Sequence, residues 1–123
     1  MSEVDMSQVD RLADDLEAIA EKAAPKVKKV VEKGAVNIKN GMRQDATGHP
    51  TFRYFPGSIS YDVTDGGMGA EIGPDKNLVQ GALGNLLYFG TSRTAGVLDI
   101  NRPLNEETPR FADALADVAE DIL

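Results

Sequence analysis

Apolar residues recur at intervals of three and four along the first third of the chain. They are Val9, Leu12, Leu16, Ile19, Ala20 and Ala23, followed by Val27, Val31, Ala35, Ile38 and Met42. This spacing places the side chains in one stripe on an α-helix. Ser7 begins a segment with the spacing of a capping box, which indicates the start of this helix. Because proline lacks a backbone donor and clashes with the preceding turn, Pro25 either kinks one long helix or separates two helices.

The pattern then changes to the alternation of a β-hairpin. Turn residues occupy positions 45–50, and the aromatic segment 51–55 is either a short strand or an ordered loop. The apolar members of the two alternating runs are Ile59, Tyr61 and Val63, then Met68, Ala70 and Ile72. Since Asp65-Gly66-Gly67 lies between the runs, we expect two antiparallel strands joined by a glycine-rich turn.

The remaining chain predicts a short element, a loop and a terminal helix. Residues 78–89 suggest a short helix or a loop leading to a strand, and residues 90–96 an exposed loop. Val97, Leu98 and Ile100 suggest a further short strand. Thr108-Pro109 has the order of an N-cap and a first-turn proline, so we expect the last helix to begin there. Its apolar stripe is Phe111, Leu115, Val118 and Ile122.

These elements predict an α+β fold in one domain spanning residues 1–123. A long kinked N-terminal helix and a C-terminal helix pack on a small, mainly antiparallel β-sheet. Within it, residues 1–6 are expected to be flexible, 7–44 to form a helical arm, and 45–123 to form the sheet and the last helix. Since a long amphipathic helix cannot bury its stripe alone, it must lie on a sheet or on another subunit.

Composition narrows the class of protein. A hydrophobic fraction of 41% and a charged fraction of 27% are typical of a globular domain. The absence of cysteine excludes disulfides and thiolate metal sites. No apolar run reaches the ~20 residues of a membrane span, and the acidic start lacks a secretory signal. We therefore expect synthesis in the cytoplasm and no membrane partner.

The net charge of −7 is unevenly distributed along the chain. Residues 1–24 carry a net charge of −5, residues 25–58 of +5 and residues 59–123 of −7. A basic block between acidic ends suits contact between identical subunits, although a solvated lysine-rich helix face explains it equally well. Overall acidity argues against nucleic acid as the main ligand. A small DNA-binding or regulatory protein that uses the lysine-rich helix is the alternative of a different class.

Catalytic patterns are missing from the sequence. The single histidine, His49, lies in a Gly-Pro turn without a nucleophile or carboxylate beside it. The glycine-rich segments of the chain lack the lysine of a Walker-type phosphate-binding loop. Neighbouring acids such as Asp14-Asp15 and Glu106-Glu107 point apart on a helix, so we interpret them as solvated faces. We predict no enzymatic activity, no cofactor and no bound metal.

Four short motifs occur in an order that resembles a known family. They are Ala24-Pro25 in the long helix, Gly57-Ser58-Ile59 at a strand start, Tyr88-Phe89-Gly90-Thr91 after a hairpin, and Arg102-Pro103-Leu104 with Thr108-Pro109 before a terminal helix. This order is similar to that of the tail-completion, or head–tail joining, proteins of long-tailed bacteriophages. The resemblance covers residues 16–123.

The resemblance implies a structural subunit of the virion, without cofactor or turnover. The expected form is a ring, usually a homo-hexamer, at the junction between the capsid portal complex and the tail tube. Its expected partners are further copies of itself, a head-closure or connector protein, and a tail terminator or tail-tube protein, with passing contact to genomic DNA in the lumen. A tail terminator or another neck component is the alternative within this class. The candidate subunit-interface residues are Lys26, Lys28, Lys29, Lys33, Tyr88, Phe89, Gly90, Thr91 and Arg93.

Overall fold

The first long helix continues through its proline. The computed structural model describes residues 6–122, and in it α1 spans Met6–Ala46 with Pro25 inside the helix. Of the two alternatives at Pro25, one continuous helix is therefore correct. Pro25 and Glu21, whose carbonyl loses its partner, are both exposed, so water can satisfy that carbonyl. The segment predicted to be flexible lies outside the described residues, except that α1 already begins at Met6.

Two strands, a short helix and a second long helix follow. They are β1 (Ile59–Thr64), β2 (Gly69–Pro74), α2 (Gly84–Phe89) and α3 (Asn101–Ile122). Single turns of 3₁₀-helix occupy Pro50–Phe52, Pro56–Ser58, Asp65–Gly67 and Gly81–Leu83. This arrangement confirms the α+β class, with two long helices, one short helix and a small antiparallel sheet. No helix within residues 6–122 is long and apolar enough to cross a membrane.

The hairpin has the predicted turn. β1 and β2 are antiparallel, with Ile59 opposite Pro74 and Thr64 opposite Gly69. Gly66 and Gly67 have φ values of +64° and +103°, which glycine adopts without steric cost. The hairpin is fixed to α1 by the Arg43 guanidinium, whose Nε and Nη2 donate to the Ile59 carbonyl at 2.9 and 2.6 Å.

The main core lies at the C-terminal end of α1. Its buried members are Met42, Ala46, Phe55, Ile59, Leu87 and Leu98. The segment 51–55 reaches this core as helical turns and not as a strand, because Phe55 N–H donates to the Phe52 carbonyl at 3.0 Å. Phe55 is thereby turned inward and completely buried. Of the two alternatives for this segment, the short strand is wrong.

The predicted strand at residues 97–100 is also wrong. The N–H groups of Val97 and Leu98 both donate to one carbonyl, that of Leu87, at 2.8 and 2.9 Å. Leu87 belongs to the helix α2, so residues 97–100 have no extended strand beside them with which to form β-sheet hydrogen bonds. Residues 78–89 accordingly end in a helix and lead to no strand, and the described part of the chain has one sheet of two strands.

Helix α3 begins seven residues before the expected start at Thr108. Asp99 Oδ1 accepts from the Asn101 N–H at 2.9 Å, and Pro103 lies in the first turn, where its missing donor costs little. The predicted N-cap, Thr108, instead donates through its hydroxyl to the Leu104 carbonyl at 2.8 Å. The sequence contains two helix-start signals, and the earlier one is used. All four residues of the predicted α3 stripe are half-buried.

Gly81 provides a stability test. A Cβ on this residue would lie 1.7 Å from the carbonyl oxygen of Asp75. That carbonyl cannot retreat easily, because Asp75 N–H is bonded to Ser58 and the carbonyl accepts from Leu78 N–H. We expect Gly81→Ala to lower the free energy of unfolding by about 2–3 kcal/mol, as overpacking does.

Gly57→Ala is the matched control, since a Cβ there meets nothing within 4 Å. Its effect should stay within about 0.5 kcal/mol. Urea denaturation of both variants gives the comparison. Equal stabilities would contradict the packing around Gly81.

Candidate assembly surfaces

The two long helices run antiparallel, but they differ in length. Gly41 faces Pro103, Gly34 faces Phe111, and Lys26 pairs with Asp121. Helix α1 has 41 residues and α3 has 22, so α3 ends close to Lys26. The part of α1 formed by residues 7–22, here called the arm, extends past the last described residue of α3 and is exposed throughout. At 1.5 Å per residue the arm extends for about 24 Å.

An apolar stripe on the arm faces solvent. Val9, Leu12, Leu16 and Ile19 are 46%, 58%, 58% and 41% exposed. Their spacing of three, four and three residues is that of a helix that packs along another helix. Covering such half-exposed side chains is worth about 1 kcal/mol each. Within residues 6–122, this stripe is therefore an apolar surface that stays largely exposed to water.

The four candidate lysines follow the arm, and they have different surroundings. Lys26 is bonded to Asp121, and this contact lowers the pKa of that carboxyl group. The side chain of Lys28 passes over the hairpin turn, since a Cβ on Gly67 would lie 2.6 Å from its Cγ. Lys29 and Lys33 are exposed.

Lys29 and Lys33 lie at one side of a pocket between α1 and α3, here called the α1–α3 groove. Its volume is about 340 Å³. The lining residues are Lys29, Val30, Lys33, Gly34, Asn37, Glu107, Arg110, Phe111 and Ala114. The groove thus combines an apolar wall with cationic side chains.

Glu107 at the base of this groove corrects an expectation. Glu106 is exposed as predicted, but Glu107 is only 3% exposed. Its Oε1 accepts from Asn37 Nδ2 at 2.9 Å. Arg110 Nη2 lies 2.8 Å from Oε2 without hydrogen-bonding geometry, so that contact is an ion pair only. Because α3 begins at Asn101, Glu107 falls on the helix face that packs against α1.

The second group of candidate residues lies where α2 ends. Tyr88 packs against Phe55 with ring centroids 6.1 Å apart, whereas Phe89 is 66% exposed. Gly90 has φ +75°, and a Cβ there would lie 2.2 Å from the Thr94 carbonyl oxygen. The segment therefore leaves the helix through a conformation that favours glycine.

Thr91 closes the following turn. Its Oγ1 accepts from the N–H groups of Arg93 and Thr94 at 3.2 and 3.1 Å, and its own N–H donates to the Thr94 carbonyl. Arg93 is exposed at the tip. Gly90 and Thr91 thus form a turn within the predicted exposed loop, with Phe89 and Arg93 exposed beside it.

The candidate residues form two separate surfaces. Tyr88 belongs to the core at the C-terminal end of α1, beside Met42 and Ala46. From Lys29 to Met42 the helix rises by about 20 Å. One small contact cannot therefore include both the lysines and the Gly90–Thr91 turn.

The stripe of the arm is a third surface, which the candidate residues do not include. The sequence identifies this stripe as apolar and predicts that it is covered. The difference in length between the two amphipathic helices would have shown that α3 cannot cover all of α1.

Groups suited to catalysis do not converge in the described structure. His49 stacks on Phe52 with ring centroids 4.4 Å apart, as a loop histidine does. Within residues 6–122 no group of three or more His, Asp or Glu side chains could hold a metal ion. A pocket of about 270 Å³ between α1, the hairpin and α3 is lined mainly by apolar residues, with Glu107 and Thr108 as its polar side chains.

The chain matches no protein-family model, and comparisons with curated proteins and with solved structures also give no match. Its function must therefore be inferred from the contacts of the folded chain and from the order of motifs in the sequence.

Tyr88 provides a test that combines stability and pH. Burial, with a smaller contribution from Asp45, raises the pKa of Tyr88 to about 12. Its buried hydroxyl has no hydrogen-bond partner among the described residues. We expect Tyr88→Phe to raise the free energy of unfolding by up to about 1 kcal/mol near neutral pH, since the unpaired group is removed.

The pH dependence results from the same shift. The unfolded chain releases the Tyr88 proton near the ordinary pKa of 10.0, while the folded chain retains it to about 12. The free energy of unfolding is therefore unaffected by this ionisation below pH 10, and it falls as the pH rises from 10 toward 12. Urea denaturation at several alkaline pH values should show this loss in the parent chain and less of it in Tyr88→Phe. Tyr54→Phe, at an exposed position, is the control, and an equal change in both variants would contradict the assignment.

Proposed function

We propose that this chain is a structural subunit at the head–tail junction of a long-tailed bacteriophage, where it acts as a ring by assembly and not by catalysis. The observation that carries the assembly role is the apolar stripe on the arm. Four large apolar side chains in a row remain in water unless another protein covers them. Scattered exposed apolar residues need no such explanation, but a continuous helical stripe does.

The junction role is supported by the order of the motifs and by their positions. Ala24-Pro25 lies just after the arm, Ile59 begins β1, and Gly90-Thr91 forms the turn after α2. The exposed Phe89 and Arg93 on that turn suit a docking contact with a neighbouring virion protein. A head-closure or connector protein on one face of the ring and a tail-tube protein on the other are the partners that this proposal requires.

A DNA-binding role for the lysine-rich helix has weaker support. Three of its basic groups already have partners: Lys26 binds Asp121, Lys39 lies 5.6 Å from the Tyr61 ring centroid, and Arg43 binds the Ile59 carbonyl. Binding to duplex DNA requires a broad cationic surface, which a chain of net charge −7 does not favour. These contacts favour the assembly role.

Self-association is the first test of the proposal. Light scattering over a range of concentrations, followed by electron microscopy of the largest species, should reveal closed rings. Pull-down assays with the head-closure and tail-tube proteins of the same phage test the junction role. A strict monomer that binds none of these proteins would refute the proposal.

The arm stripe can be tested separately. We expect Leu12→Ser together with Leu16→Ser to weaken self-association by about 10- to 30-fold, because two apolar contacts of about 1 kcal/mol are lost. The melting temperature of the dilute chain should not fall, since both side chains are exposed there. Leu78→Ser, at a loop position 46% exposed, is the matched control. An equal loss of association in the control would show that the arm has no special role.

A further inference from the structure

We infer that the arm of one copy binds in the α1–α3 groove of a neighbouring copy. This inference rests on the self-association in the proposed function and names the surfaces that meet. It joins two features that are open to solvent in the described part of the chain: the stripe of Val9, Leu12, Leu16 and Ile19, and the groove beside Lys29 and Lys33.

The apolar parts of the two surfaces are complementary. Val30, Phe111 and Ala114 line the groove, and Gly34 allows the Phe111 ring to lie directly against α1. A Cβ on Gly34 would lie 3.1 Å from the Phe111 ring, so a larger residue there would compete with Phe111 for space. The volume of about 340 Å³ gives room for apolar side chains of the incoming helix. The arm thereby obtains the helix neighbour that α3 is too short to provide.

The charges of the two surfaces are complementary as well. Asp15 and Glu17 adjoin Leu16 on the arm, and residues 1–24 carry a net charge of −5. Lys29, Lys33 and Arg110 surround the groove, where the single acid, Glu107, is buried and paired with Arg110. Binding of arm to groove therefore brings opposite charges together. Binding of arm to arm would bring two negative segments together, so the charges favour the groove as the acceptor.

The acceptor must belong to another copy. Leu16 and Lys33 are 17 positions apart in one continuous helix, which separates them by about 25 Å. The donor and acceptor surfaces also differ from each other, so one copy can give its arm to one neighbour and receive the arm of another, which is a head-to-tail contact. Repetition of a head-to-tail contact produces a ring where the rotation closes. This is the symmetry that the proposed function requires.

Cysteine crosslinking tests this contact directly, since the chain has no cysteine of its own. Leu16→Cys and a size-tagged Lys33→Cys chain are prepared separately, mixed at a concentration that supports association, and treated with a short bismaleimide. We expect a crosslinked heterodimer in the mixture, and at least tenfold less product from either variant alone. Asp62→Cys, exposed on β1, replaces Lys33→Cys in the control mixture and should give no comparable product.

Each outcome decides the inference. Efficient crosslinking of Leu16→Cys to itself would show that arms pair with arms, and would overturn it. Association without a link between positions 16 and 33 would also overturn it, while leaving the proposed ring intact. A chain that neither self-associates nor binds neighbouring virion proteins would refute both proposals together.

Charge reversal is the second measurement, and it does not depend on crosslinker geometry. Lys29→Glu with Lys33→Glu should weaken association at least tenfold, and so should Asp15→Lys with Glu17→Lys. The chain with all four changes should associate more tightly than either double variant. On a logarithmic scale it should recover at least half of the affinity that the double variants lose. Lys76→Glu, at an exposed position away from the groove, is the control and should change little. Failure of the four-site chain to recover would overturn the arm-to-groove contact.

Discussion

The close approach of α1 and α3 determines most of this structure. Phe111 lies directly against Gly34, and Pro103 lies directly against Gly41. A Cβ placed on Gly34 would be 3.1 Å from the Phe111 ring, and one placed on Gly41 would be 3.0 Å from Pro103. Two helices that approach at glycines leave little space for water, which explains how Glu107 becomes buried between them. The buried carboxylate then needs Asn37 and Arg110, because an uncompensated charge in that position would be costly. The position of α3 along α1 is thus fixed by packing and by polar contacts together.

This position also determines which part of α1 lies beyond the contact with α3. The C-terminal half of α1 meets α3, the hairpin and the core around Phe55, whereas residues 7–22 extend beyond the last turn of α3. The pair Lys26–Asp121 lies at the end of α3, where acids alone would oppose the helix dipole. The same lysine that was a candidate for intermolecular contact therefore stabilises the end of its own chain's terminal helix. Lys29 and Lys33, one and two turns further on, lie at the groove.

The sequence predicts the regular elements better than it predicts their ends and contacts. The α1 stripe, the hairpin with its Asp65-Gly66-Gly67 turn, and the α3 stripe follow from periodicity, which reflects backbone geometry directly. The start of α3 does not, because two helix-start signals compete and tertiary packing at Gly41 favours the one that includes Pro103. The strand expected at residues 97–100 fails for a similar reason. Its apolar residues are drawn into the core by bonds to the end of α2, and no strand lies beside them.

The candidate sites show the same division. Periodicity revealed the arm stripe, but it gave no information on whether α3 or another chain covers it, since that depends on the relative lengths of two helices. The charge blocks suggested contact between copies, yet the basic block is divided in the folded chain. Lys26, Lys39 and Arg43 serve intramolecular contacts, and Lys29 and Lys33 remain. In the proposed contact between copies, the net charge of −5 on residues 1–24 would oppose the pairing of two arms and favour a cationic groove. In that proposed contact, the apolar stripe would supply the affinity, and the charge would select the groove over a second arm.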